Sequence, residues 1–412
     1  MPRFFYITRD NQGRKSSGTE EGFSQDEIVS RLQARGLFVV NVISEFKDGP
    51  GGSKLDAKTG KGQFKHYRVT SDDLVLFCRQ VATLLGAGVT ILKSLEIISQ
   101  QVPSRKFFAV LKKLQKDMEA GLSLHEAMSR HSAVFSELWV NLVESGEASG
   151  NLAMVLNRLA TYLERNAAFK KKIISALIYP AILMFAGFGA LLFLTIKIIP
   201  TFAELFKGFN VKLPFLTQVL VDISYFTRTN LLYFVIITAV VVFLIRRYVR
   251  TREGRKQYEK LKFSLPTFGD FFRSLVIERF SSEMSTLVES GVPILYSLEI
   301  AEHSVGNLTM ANIIHTIKED VRSGKSLSQP LSRSGFFEPM VVQMVAIGEE
   351  IGELPQMFKK INAFYQDYVE TFLTRFTAMF EPIMLIFMGV VIGIMVIGMF
   401  LPIFQISQIS GG

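Results

Sequence analysis

Cysteine and tryptophan are nearly absent: 412 residues hold one of each. The single cysteine, Cys78, excludes a disulfide scaffold. Its apolar neighbours make it a small core filler. Histidine is scarce as well. His66, His125, His131, His303 and His315 form no His-Glu-x-x-His or Cys/His ligand pattern, so solvated or core histidines are expected. No nucleophile–base–orienter set emerges, and no enzyme is expected. Disorder is excluded by an apolar content of 49%. Charged residues make up 20%, too many for a chain built mostly of membrane helices. A mean hydropathy of +0.28 beside so many charges means segregation into a few very apolar segments and large polar parts.

Charge is missing from three stretches. Ile173–Ile196 runs without one, long enough to cross a hydrocarbon core of about 30 Å. No charge follows Glu381, and Pro382–Leu401 is a second span. Thr229–Ile245 is shorter, and a buried soluble helix competes with a span there. No Asp, Glu, Lys, Arg or His lies within a span core, which argues against ion- or proton-coupled transport. The opening MPRFFYITRDNQGRK has no apolar run before its charges, so no secretory signal peptide is expected.

The net charge of +9 has an address. Lys170, Lys171 and Lys172 precede the first span. Arg246, Arg247, Arg250, Arg252, Arg255 and Lys256 follow Thr229–Ile245. The 200–228 segment has only Lys207, Lys212 and Arg228, and the tail past Glu381 has no Lys or Arg. The positive-inside rule then places the N-terminus and residues 246–380 in the cytoplasm, and the 200–228 segment and the tail outside. This topology accounts for the 246–256 cluster, which also suits anionic lipid. The basic residues flank spans rather than a groove-fitting element, so no nucleic-acid partner is expected.

The chain repeats itself. Residues 77–97, FCRQVATLLGAGVTILKSLEI, and 280–300, FSSEMSTLVESGVPILYSLEI, share 11 of 21 positions at an offset of 203. The offset continues through Gly121/Gly324 and Arg130/Arg333. It becomes 202 through Phe135/Phe337, Gly146/Gly348, Glu147/Glu349 and Gly150/Gly352, and into the spans at Pro180/Pro382 and Gly187/Gly389. Both copies start in the cytoplasm and end in an outward span. Only 229–245 can bring the chain back between them, so it is a span.

Helical spacing fills both copies. Ser71-Asp72-Asp73 opens a helix with Leu74, Phe77, Cys78, Val81 and Leu84 on one face; Ile277, Phe280, Met284 and Leu287 repeat that stripe. Near the N-terminus, Phe4–Thr8 reads as a strand, 10–13 as a turn, 24–36 as a capped helix with Ile28, Val29 and Leu32, and Phe38–Ile43 as a β-rich run. The fold predicted is mostly α and polytopic, with two repeated cytoplasmic helical bundles, three transmembrane helices and a small N-terminal αβ module. The expected boundaries are 1–46 for the module, 47–66 for a Gly/Lys-rich flexible linker and 67–172 for the first bundle. Span 1 is 173–198, an extracytoplasmic loop 199–228, and span 2 229–245. The second bundle is 246–380, span 3 381–404, and an outer tail 405–412.

A bundle ending in a membrane helix, repeated once around a lone return helix, resembles the platform proteins of type II secretion systems and type IV pili, over essentially the whole chain. The LLGAGVTILKSLEI and LVESGVPILYSLEI blocks, Gly121-Leu122-Ser123-Leu124 and Gly324-Lys325-Ser326-Leu327, and the Gly-Glu-x-x-Gly turns carry the resemblance. The second turn, 348–352, has Ile351 where the first has Ser149. The resemblance implies a multi-pass protein of the bacterial inner membrane. The partners it implies are a hexameric cytoplasmic assembly ATPase, pilins or pseudopilins, and other inner-membrane assembly proteins, with self-association into a homo-oligomer and contact with membrane lipid. It makes Gly88, Glu96, Gly146, Glu147, Gly150, Gly291, Glu299, Gly348, Glu349 and Gly352 the candidate motif and partner-contact residues. Some relatives suggest calcium at Glu96, Glu147 and Asn151, whose counterparts are Glu299, Glu349 and Glu353; no other cofactor is implied.

Plainer readings stand beside these. The turn glycines suit positive φ, and Glu147 suits the N-terminus of the following helix. Ser323-Gly324-Lys325-Ser326 ends like a phosphate loop, but Glu319 stands where the first glycine of that loop belongs. Gly187, Gly189, Gly389, Gly393 and Gly398 suit close helix packing in the membrane. The alternative from another class is a transporter or permease subunit with cytoplasmic regulatory domains. A neighbouring prepilin gene favours the platform, and a solute-binding protein gene favours transport.

Overall fold

The computed structural model describes residues 3–9, 15–21, 25–34, 38–45, 64–208 and 213–410. It divides into two units at residue 61. In the first, β1 (Arg3–Arg9), β2 (Lys15–Glu21) and β3 (Phe38–Glu45) form an antiparallel sheet in the order β2-β1-β3. A register shift interrupts β1–β3 pairing at Ile7/Thr8. Helix α1 (Gln25–Ala34) buries Ile28 and Leu32, with Val29 and Val39 beside them. The strand β2, KSSGTEE, has no apolar alternation; only its pairing with β1 makes it a strand. The turn at 10–13, the helix-opening Ser24 and Gly36 lie outside the described residues, as does most of the 47–66 linker. Its end is not free, because Lys65 N donates to Pro103 O at 2.8 Å and the Phe64 ring meets Phe108 at 5.3 Å.

The described elements of the second unit are helices, beside one isolated bridge between His66 and Ser104. The first repeat is α2 (Ser71–Gly86), α3 (Ile91–Ser99), α4 (Arg105–Glu119), α5 (Leu124–Ser129), α6 (Glu137–Ala148) and α7 (Leu152–Phe193). A π-helical turn, Leu194–Ile198, leads to α8 (Ile199–Gly208), α9 (Phe215–Val249) and α10 (Arg252–Ser264). The second repeat follows as α11 (Phe268–Glu289), α12 (Ile294–Ser304), α13 (Leu308–Arg322), α14 (Ser328–Arg333), α15 (Pro339–Glu350) and α16 (Leu354–Ser410). The cap of α2 is Thr70, one residue before the expected Ser71. Its hydroxyl accepts from Asp73 N, and Asp73 Oδ2 accepts from Thr70 N at 2.8 Å.

Each bundle closes on aromatic rings, of which Phe77/Phe280 and Phe135/Phe337 stand at repeat-related positions. Phe77 meets Phe107 edge-on at 5.3 Å, with Phe135 and Trp139 behind. Phe280, the counterpart of Phe77, meets Phe337 at 5.7 Å and Phe358 at 5.9 Å. Each such ring, fully buried, contributes about 1.5–3 kcal/mol.

Among the described residues, three helices are long and apolar enough to cross a membrane. Helix α7 has 42 residues, so at about 1.5 Å each it is roughly twice as long as a hydrocarbon core is thick. Its first half belongs to the bundle and its second half is the span; α16 is built the same way. Over the second half of α9, side chains 231–248 are exposed within the chain. The described residues of the 199–228 segment, expected as a loop, include α8 and the first turns of α9. Ile199, Ala203, Leu220 and Val221 form an apolar cluster with Met395 and Met399 of α16. Thr217 Oγ1 donates to Gly398 O, and Ser224 Oγ donates to Thr195 O in the π turn. Side-chain hydroxyls thus tie α9 to backbone carbonyls of α16 and of the π turn.

Candidate functional site

The Gly-Glu-x-x-Gly turns join two helices in each bundle, and each position has a separate task. Glu147, near the end of α6, accepts from Leu124 N at 2.7 Å and His125 N at 3.1 Å, and its Oε2 lies 2.6 Å from His125 Nδ1. Glu349 accepts from Leu327 N at 2.7 Å and Ser328 N at 3.4 Å. Both carboxylates therefore satisfy first-turn N–H groups and face the positive end of a helix. The helix served is the preceding one, α5 or α14, and not the following one expected from sequence. The α5–α6 and α14–α15 hairpins bring the end of the second helix back beside the start of the first.

The paired glycines also divide the work. Gly150 and Gly352 have φ of +70° and +73° and end their helices in the left-handed region. Gly146 and Gly348 lie inside helices, and their bare backbones let the next helix approach. A Cβ at Gly348 would stand 2.7 Å from Met357 Cγ and 3.3 Å from Leu354 Cα; one at Gly146 would stand 3.2 Å from Leu152 Cα. Gly88 and Gly291, at φ of +82° and +84°, make the matching turns before α3 and α12. Glu96 is partly exposed and pairs with Lys93 at 2.7 Å. Lys93 is also the largest cause holding its carboxyl below the ordinary range. Glu299 is half-buried on α12. Asn151 is exposed, and its Nδ2 donates to Ser149 O at 3.3 Å. Glu96, Glu147 and Asn151 thus each engage a different partner. No group of three His, Cys, Asp or Glu side chains among the described residues is placed to hold a metal ion.

The seam between the repeats was not foreseen. Leu287, Val292 and Ile300 of the second repeat belong to the apolar core of the first. Around them Tyr296 OH donates to Asn141 Oδ1 at 2.8 Å, Ser145 Oγ to Ser290 O at 3.4 Å, and Arg158 to Glu289 O. Tyr162 OH donates to Glu283 Oε1 at 3.5 Å. A signal existed in the departures from the repeat: Tyr296 stands where the first copy has Lys93, and Glu283 where it has Gln80. Toward the membrane, Phe169, Phe271, Val369 and Leu373 form a further cluster, and Lys172 pairs with Glu370 at 2.6 Å. Farther along, Gly187 lies against Met388 and Met384 of α16. The rods α7 and α16 are thus joined from bundle to span.

A duplicated helical bundle, each copy continuous with its own membrane-crossing helix, defines a polytopic membrane protein built on an internal repeat. Comparison with known families is specific. The model of the type II secretion system protein F family matches residues 77–200 and again 280–402, and that of its N-terminal domain matches 1–43. The type IV pilus assembly protein PilC of Thermus thermophilus is 38% identical over 408 residues, covering 98% of both chains. The PilC of Myxococcus xanthus is 33% identical over 98% of this chain and 95% of its own. The type II secretion system protein F of Xanthomonas campestris is 30% identical over the full length of both. The chain belongs to the type II secretion system protein F family.

Proposed function

We propose that this chain is the non-enzymatic inner-membrane platform of a bacterial type IV pilus or type II secretion machine. In this reading both bundles face the cytoplasm and receive motion from a hexameric assembly ATPase. The spans pass it to pilin or pseudopilin subunits leaving the membrane for a growing filament. Other inner-membrane assembly proteins and further copies of the chain surround it. The relatives' names supply the assembly context. The basic residues at 170–172 and 246–256 support the orientation.

One observation carries the coupling: α7 and α16 run from bundle into span as single helices, Leu152–Phe193 and Leu354–Ser410. A continuous helix transmits axial and rotational displacement, whereas a flexible joint dissipates it. A Gly/Ser insert within 165–172 is expected to abolish filament assembly while the protein reaches the membrane at its normal level. Electron microscopy of filaments beside an immunoblot of membranes reads both. Normal filaments would refute direct coupling.

A further inference from the structure

The arginine-rich end of α9 borders a cavity that lies apart from the motif turns and is backed by Phe263, Val276 and Val305 at the edge of the second bundle's core. It measures about 680 Å³, within the range of small-molecule sites. Val249 and Arg250 form its rim, Arg255 and Lys262 of α10 one wall, and Phe272 and Leu275 of α11 the other. We propose that this cavity binds the phosphate headgroup and adjoining acyl carbons of an anionic phospholipid from the surrounding leaflet.

Charge is the first argument. Arg250, Arg255, Lys262 and Arg279 line the cavity against one carboxylate, Glu259. That carboxylate is committed: it accepts from Leu308 N and Thr309 N at 3.1 Å each, and pairs with Arg255 at 3.2 Å. Arg279 is held by Glu283 at 3.1 Å. Arg250 and Lys262 make no ion pair with any described residue. Lys262 Nζ instead sits 4.3 Å from the Tyr258 ring centre and 5.0 Å from that of Phe272. Two uncompensated cations over aromatic and aliphatic walls suit a phosphate that carries hydrocarbon.

Depth is the second argument, and it is independent of charge. Val249 ends the lipid-facing helix α9. On the opposite wall, Phe272 and Leu275 pack with Phe169 and Ile173, where the charge-free run of α7 begins. Both walls therefore reach the membrane boundary. Beside the cavity, Tyr258, Leu261, Leu265 and Phe268 are exposed on and just after an otherwise strongly charged α10. Such an apolar face on a basic helix lies in the headgroup region. The site rests on the membrane crossing alone and stands whether or not the platform reading does.

The test is native mass spectrometry of the full chain in mild detergent. The probes are phosphatidylglycerol, phosphatidylcholine and water-soluble glycerol phosphate. One phosphatidylglycerol is expected to be retained in preference to phosphatidylcholine. Arg250→Ala with Lys262→Ala should weaken it about thirty-fold. Lys170→Ala with Lys171→Ala, which removes equal charge beside the first span, should leave it unchanged. Equal retention of the two lipids, or full retention by the first variant, overturns the proposal. Displacement by glycerol phosphate also overturns it, and assigns the cavity to a soluble phosphate. Should that variant not fold, a photoactivatable phosphatidylglycerol on the unaltered chain decides: adducts within 249–276 support the site, and adducts only elsewhere overturn it.

Discussion

Glu278 is 4% exposed on α11, where the first repeat has Val75. Asn362 Nδ2 and Gln366 Nε2 donate to its Oε1 at 3.0 and 2.8 Å. Burial pushes its carboxyl above the ordinary range, and nearby Glu283 adds to the rise; the two amide donors and Arg279 oppose it without cancelling it. The folded chain therefore holds this proton more tightly than the unfolded chain. Stability from this group is fully present below the unfolded carboxylate value of about 4.3 and is lost as pH rises through the raised folded value. Glu278→Gln removes the buried charge but keeps a carbonyl acceptor for both amides. Its melting temperature is expected to exceed the parent's at neutral pH, with the difference closing on acidification toward pH of about 4. Circular dichroism melts across that range measure it, and a gap independent of pH would contradict the assignment. The sequence offered a hint here: a carboxylate in an apolar repeat position is a departure with a cause. The cause itself, the facing amides on α16, lay beyond a reading that used the repeat to find likeness and left its exceptions aside.

Helices were legible because their apolar spacing is regular and their turns repeat; α4 and α13 follow the stripes of Leu111, Leu114 and Ile314, Ile317. Strand β2 and α8 were not, since pairing with β1 makes the one, and packing on α16 and α9 holds the other. The Gly-Glu-x-x-Gly turn lies between these cases. Its second glycine was read correctly as conformational. Its first was given the same role, although the close approach of α16 to α15 is the reason for it, and no sequence shows an interhelical distance. Substitution by Asn separates the two, because Asn tolerates positive φ but adds polar bulk. Gly352→Asn is expected to cost under about 1 kcal/mol. Gly348→Asn, forced against Met357 and Leu354, is expected to cost about 1–3 kcal/mol. Melts of the two purified variants rank them, and the reverse order would make Gly348 the conformational position.

At the scale of the molecule, the two bundles share a core and their rods share a seam. Leu287, Val292 and Ile300 complete the first core from the second repeat, and Lys172–Glu370 ties the rods just before the membrane. Helix α9 differs, being held to the other spans through its first turns, where Thr217 and Ser224 reach backbone carbonyls, and exposed over its second half. Sliding one bundle against the other would expose shared apolar surface, which costs about 25 cal/mol for each Å² uncovered. The repeats should therefore move as one body during assembly, with α7 and α16 carried together. A disulfide across the seam tests this, because Ser145 Oγ lies 3.4 Å from Ser290 O. The native thiol does not interfere: Cys78 is fully buried, and burial pushes its pKa well above the ordinary thiol value. Ser145→Cys with Ser290→Cys, oxidised in cells and confirmed by peptide mapping, is expected to leave filament number unchanged. The same chain with the 165–172 insert should make none. Filaments lost on oxidation and regained on reduction would mean instead that the bundles part during the working cycle, and that the seam is a hinge.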